Sequence, residues 1–273
     1  MFARRRLTFI IYMLTLSIIL LTLSGEGSAF LERLRNFSGD KKVENALEIT
    51  SSRTERILME GTPWETELII VISPHEGPTI MVVGGIHGDE PAGYMAAGSI
   101  ASWAIDRGTL LVLPNANVPA ISNRSRMAPG DSDLNRAFPG NPGGSGAEQL
   151  AAEIYSVMIE YEPSWVIDLH EAENFERELK GALGQTFIYP ENSVSEDIVK
   201  ELLTSVNRTM IIDEYSFILL RGMAPGSAIE AASQLGADAL IIETCIRMSL
   251  HERVKIHRQV VSSLLYLLDI TVY

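Results

Sequence analysis

From Glu67 to the end of the chain, short apolar runs alternate with longer amphipathic stretches. That alternation restricts the fold to an α/β domain with a mostly parallel or mixed sheet. Residues 68–72, 79–83, 109–113, 165–169, 186–189 and 239–242 read as strands. Residues 91–105, 147–161, 195–208, 225–235 and 250–268 read as helices, the fourth closed by Gly236. The segment 114–146, rich in proline, glycine and asparagine, reads as a long irregular loop. Loops of that length inside a domain are usually functional.

Chemistry-bearing residues fall at the ends of three separate strands. His87 and Glu90 sit on the turn Gly84-Gly85-Ile86-His87-Gly88-Asp89-Glu90, after the run 79–83. His170 closes the run 165–169, and Glu243 closes 239–242. Sites in open α/β sheets form at the carboxyl ends of strands, so these residues belong together. His87, Glu90 and His170 supply two imidazoles and one carboxylate, the three ligands a catalytic zinc needs while keeping one position open. Other divalent metals suit the same donors. Asp168 precedes His170 by two residues and shares its side of a regular strand. It either orients a ligand histidine or makes ordinary strand-end hydrogen bonds; Asp89 is open in the same way. On the long loop, Arg136 next to Asn135 offers a fork-like grip on a carboxylate. Arg124 and Arg126 lie upstream, and either can stabilise an oxyanion. Taken alone, this loop reads better as a solvated surface with scattered arginines.

Four pieces occur in a characteristic order: Gly85-Ile86-His87-Gly88-Asp89-Glu90, Asp133-Leu134-Asn135-Arg136-Ala137-Phe138-Pro139-Gly140, Asp168-Leu169-His170 and Ile242-Glu243. From about Leu68 onward the chain resembles the zinc carboxypeptidase superfamily, most closely its succinylglutamate desuccinylase/aspartoacylase branch. The resemblance implies a single zinc-carboxypeptidase-like domain with a mixed, mostly parallel sheet flanked by helices. It implies one Zn2+ held by His87, Glu90 and His170, with Glu243 as general base. Asn135 and Arg136 would grip a substrate carboxylate, and Arg126 would stabilise the oxyanion, with Arg124 its competitor. The implied activity is a deacylase acting on an amide next to a carboxylate-bearing group, such as an N-acyl amino acid. A carboxypeptidase acting on peptides or cell-envelope fragments is the competing reading. About 30 residues follow Glu243 and read as a helix and a tail, where aspartoacylase-like enzymes often carry a β-rich domain; a more open pocket is expected. A non-catalytic, membrane-tethered binding module is the alternative of another class, and the complete set of competent residues argues against it.

The N-terminus has its own pattern. Arg4, Arg5 and Arg6 precede the apolar run 7–23, and Ser24, Gly25, Gly27, Ser28 and Ala29 follow. This is the three-part pattern of an export signal. The run is intermediate in length between a cleaved signal and a membrane span, so cleavage before Phe30 and retention as an anchor both stand. Either way the arginines direct the remaining chain outward. The expected organisation is a signal peptide or anchor at 1–29, a weakly structured linker at 30–65 and the zinc hydrolase domain at 66–273. A net charge of −13 excludes the basic footprint of a nucleic-acid binder, and membrane contact is expected only through the N-terminal segment. The single cysteine, Cys245, excludes an internal disulfide and reads as a packed thiol. His75, His251 and His257 read as surface or helix-end histidines outside the site.

Overall fold

The computed structural model describes residues 51–191 and 195–273. Eight strands form one sheet: β1 (Ser52–Leu58), β2 (Thr66–Ile72), β3 (Thr79–Gly84), β4 (Thr109–Leu113), β5 (Trp165–Ala172), β8 (Thr186–Tyr189), β9 (Ile218–Arg221) and β10 (Asp238–Cys245). Their spatial order is β1-β2-β4-β3-β5-β10-β8-β9. The centre, β4-β3-β5-β10, is parallel. β1 and β2 run antiparallel on one flank, and β8 opposes β10 on the other. The short strands β6 (Asn174–Phe175) and β7 (Leu183–Gly184) pair separately.

The central strands are apolar on both faces because helices cover both. Ile80, Val82, Ile167, Leu169, Leu240 and Ile242 enter one core cluster. Their neighbours Met81, Val83, Val166, Ala239 and Ile241 enter the other, as the two-residue period of a strand requires. The first cluster is closed by α1 (Pro91–Ile100), α4 (Glu196–Asn207) and α6 (Leu250–Leu267). The second is closed by α3 (Gly146–Tyr161) and α5 (Ala228–Gln234). Capping boxes start two of these helices, Ser145 with Glu148 on α3 and Ser249 with Glu252 on α6. The mixed, mostly parallel sheet with helices on both faces is the architecture that the strand and helix alternation requires.

Several elements depart from the sequence reading. β1 lies in the stretch read as linker: its residues Ser52 to Glu55 are exposed, so no apolar alternation marks it. Backbone pairing with β2 makes it a strand, and its charged side chains suit a sheet edge. The loop 114–146 contains a short helix, α2 (Val118–Asn123), capped by Asn117, and a 3-10 turn at Leu134–Arg136. β9 is a short strand that, among the described residues, pairs only with β8. The expected export or anchor segment and the linker up to residue 50 lie outside the described residues. Among the described residues, no helix is long and apolar enough to cross a membrane.

Candidate active site

His87 lies on a turn that packs too closely for a side chain beside it. Gly88 donates its N–H to the Ser125 carbonyl at 3.0 Å. A Cβ on Gly88 would stand 2.0 Å from the carbonyl carbon of Ala120 in α2. Glu90 follows at the N-cap of α1, with Pro91 supplying the first turn. Its side chain makes no capping hydrogen bond and is turned to the histidines instead.

The Glu90 carboxylate bridges two imidazoles. Oε1 lies 2.7 Å from His87 Nδ1, and Oε2 lies 2.8 Å from His170 Nδ1. All three side chains are buried, and their candidate ligand atoms lie within 4.8 Å of one another. Each histidine's far nitrogen faces another carboxylate. His87 Nε2 is 3.1 Å from Asp133 Oδ1, and His170 Nε2 is 2.8 Å from Asp168 Oδ2. A carboxylate at Nε2 keeps the proton there and leaves the Nδ1 lone pair directed into the cluster. Two such imidazoles and one carboxylate suit a divalent metal, zinc among others. In the metal-free protein, protons answer the same field. Burial opposes charging His170, but Asp168 and Glu90 raise its pKa well above the ordinary value. Burial likewise opposes charging His87, and Asp133 and Glu90 prevail. For Glu90, burial works against ionisation, yet His170 and His87 hold its carboxyl below the usual range.

Glu243 stands one strand away. It is in register with His170 across the parallel β5–β10 pair, so both side chains leave the same face. Its Oε2 is buried without a hydrogen-bond partner, and burial pushes the carboxyl up to about 8. A carboxyl poised near neutrality beside a cluster that could hold a cation is equipped to accept and return a proton.

These groups line one cleft of about 670 Å³, with Asp89, Arg126, Asn135 and Arg136 on its walls. Arg126 is committed: Nη2 lies 3.0 Å from Asp133 Oδ2, and Nη1 lies 3.7 Å from Glu90 Oε1. Arg124, its rival from the sequence, sits at the left-handed C-cap of α2 and is not among the residues lining the cleft. The Arg136 guanidinium has no carboxylate partner among the described residues; its Nη1 donates to the Asn135 carbonyl at 2.6 Å. Asn135 accepts the Ala228 N–H on Oδ1 at 3.0 Å, which fixes the amide. Its Nδ2 then lies 3.3 Å from His170 Nε2, whose proton is given to Asp168, so the amide N–H groups remain for a ligand. Of Asp168's two open roles, the geometry places its carboxylate on the histidine; Asp89 is exposed at the cleft.

Two features escaped the sequence. Asp133 partners His87, although only its place in the Asp-Leu-Asn-Arg run hinted at it. His257, read as a surface or helix-end histidine, is fully buried, because one face of α6 lies against the sheet. Burial holds its pKa down to about 3. Cys245 is buried, as a packed thiol should be.

Residues 76–183 match the sequence profile of the succinylglutamate desuccinylase/aspartoacylase catalytic domain. Over that stretch the chain is similar to this family's catalytic domain. A curated relative, N-alpha-acetyl-L-2,4-diaminobutyric acid deacetylase of Halomonas elongata, is 38% identical over 106 residues, 37% of this chain and 31% of that protein. The match thus spans about a third of that relative's length. Among solved structures, Helicobacter pylori Csd4, described as a D,L-carboxypeptidase, superposes with a TM-score of 0.66 at 21% identity, covering 72% of this chain and 52% of that one. A succinylglutamate desuccinylase/aspartoacylase from Rhodobacter sphaeroides gives 0.61 at 19% identity, covering 82% and 66%. These structural likenesses establish a shared carboxypeptidase-like fold. The succinylglutamate desuccinylase/aspartoacylase match contains His87, Glu90, Arg126, Asn135, Arg136 and His170 but stops before Glu243. Glu243 joins them through the register of β10 against β5.

Proposed function

We propose that this chain is an exported, zinc-dependent amidohydrolase that cleaves an amide bond next to a carboxylate-bearing group, as in an N-acyl amino acid. The observation that carries the reading is the convergence of two Nδ1 lone pairs and the Glu90 carboxylate beside the unpartnered Glu243 oxygen. His87, Glu90 and His170 hold one zinc ion, which when bound supplies Lewis acidity and water of lowered pKa. Glu243 takes the proton of the attacking water and returns it to the leaving amine. Arg126 brings a guanidinium to the edge of the cluster, where it stabilises the oxyanion. Arg136, uncommitted to any carboxylate among the described residues, grips the substrate carboxylate together with the Asn135 amide. The deacetylase named among the relatives favours an N-acyl amino acid over a peptide. Export rests on the arginine-led apolar segment at the N-terminus.

The test is zinc-loaded protein assayed against N-acyl amino acids and short peptides, beside Glu243→Gln. The expected result is one zinc per chain, turnover of N-acyl amino acids, and a loss of about 10²- to 10⁴-fold in the variant. Preferential cleavage of peptides with a free C-terminus would instead assign a carboxypeptidase. Absence of stoichiometric zinc and of any turnover would leave the binding-module reading, and undiminished turnover by Glu243→Gln would remove Glu243 as the general base. N-terminal sequencing of the native protein, with cell fractionation, tests export and separates a cleaved signal from an anchor.

A further inference from the structure

On the α6 side of the sheet, a buried polar cluster interrupts an apolar layer, and its Glu171 also borders the cleft. His170 and Glu243 face the α3 and α5 side, so the next residues along, Glu171 and Thr244, face α6; they too are in register. On α6, Arg253 and His257 are four residues apart, share one helical face and are both buried. Arg253 ion-pairs with Glu171 Oε1, and its Nε donates to the Met248 carbonyl at 3.2 Å. Glu171 Oε2 accepts the N–H of Ala92, in the first turn of α1, at 2.7 Å. Its own backbone N–H donates to Glu90 Oε2 at 3.0 Å. Beside it, Thr244 Oγ1 lies 3.1 Å from His257 Nε2.

A buried ion pair is a poor source of stability, because well-packed apolar residues of similar volume usually serve the fold as well or better. What this pair does is geometric. Glu171 ties the end of β5 to the start of α1, the two points that carry His170 and Glu90. Arg253 fixes Glu171 from α6. We infer that Glu171 and Arg253 are positioning residues that hold the Glu90 carboxylate between the two Nδ1 atoms and so set metal affinity, an inference that rests on the zinc reading above. In this role both residues act through Glu90.

The test is the double variant Glu171→Gln/Arg253→Met in the full chain, which removes both charges without stranding either. Zinc Kd is measured by competition with a chromogenic chelator, and the stability of the metal-free protein by urea unfolding. The expected result is a metal-free stability close to the parent's with a zinc Kd raised about 10- to 100-fold, as for other groups that orient metal ligands. Arg253→Lys, which keeps the charge, should recover most of the affinity. The visible spectrum of the cobalt-loaded double variant should also differ from that of the parent. An unchanged zinc Kd in the double variant would overturn the inference. So would an affinity loss that merely tracks a loss of folded protein. A parent protein that binds no zinc would instead sink the zinc reading itself.

Discussion

The contact between Gly88 and α2 makes a sharp prediction for Gly88→Ala. The new Cβ would sit 2.0 Å from the Ala120 carbonyl carbon, 2.1 Å from its oxygen and 2.3 Å from Ile121 N. All three are backbone atoms, so no side chain can swing away. To reach ordinary contact at 3.4 Å, the turn and α2 must separate by about 1.4 Å. His87 is the adjacent residue, and its Nδ1 lies 2.7 Å from Glu90. A displacement of that size takes it out of ligand reach; misplacements of about 1 Å cost on the order of 10²-fold in catalysis. The fold should also lose about 1–3 kcal/mol from overpacking. Gly98→Ala is the control: Gly98 is exposed in α1, and nothing lies within 4 Å of its Cβ position. There the same change should stabilise by about 0.5–1 kcal/mol through helix propensity. Urea unfolding gives the stabilities, and chelator competition gives the zinc Kd. A Gly88→Ala protein with parental stability and zinc Kd would refute the claim that close packing on α2 positions His87.

Two further outcomes follow from the same geometry. Arg136→Ala should lower kcat/KM for substrates with a free carboxylate by about 10- to 100-fold, the worth of a charge-assisted hydrogen bond, with little effect on amidated analogues; equal losses on both would remove the carboxylate-grip assignment. The metal-free protein should lose stability as pH rises from about 6.5 through 8. Burial opposes charging the two histidines, but Asp168, Asp133 and Glu90 raise their pKa values above 6.5, so their stabilisation is complete below 6.5 and is lost as they deprotonate in the fold. Glu243, raised by burial from 4.5 to about 8, also binds a proton in the fold that the unfolded chain releases, and so adds the same sign. Urea unfolding of chelator-treated protein at several pH values across that window measures the slope; a flat or rising profile would contradict it.

Much of the site was legible because its chemistry is local. His87 and Glu90 are three residues apart on one glycine-rich turn, Asp168 and His170 two apart on one strand, and Asn135 and Arg136 adjacent. Short spacings of this kind carry their geometry in the backbone period. The central strands were equally legible, because a strand buried on both faces is apolar throughout. β1 was not, because an exposed edge strand is held by backbone hydrogen bonds and needs no apolar pattern.

By itself, the sequence determined the α/β class, the donor set and its order along the chain. Tertiary structure decided which partners those donors meet. It chose Arg126 over Arg124 for the cleft by ending α2 in a left-handed residue at Arg124. It set Asp133 against His87 across 46 residues, and it buried His257 and Arg253 behind the sheet. The last two are long-range contacts between side chains on different elements. Local periodicity says which face of an element is buried; only the packed fold says what lies against it.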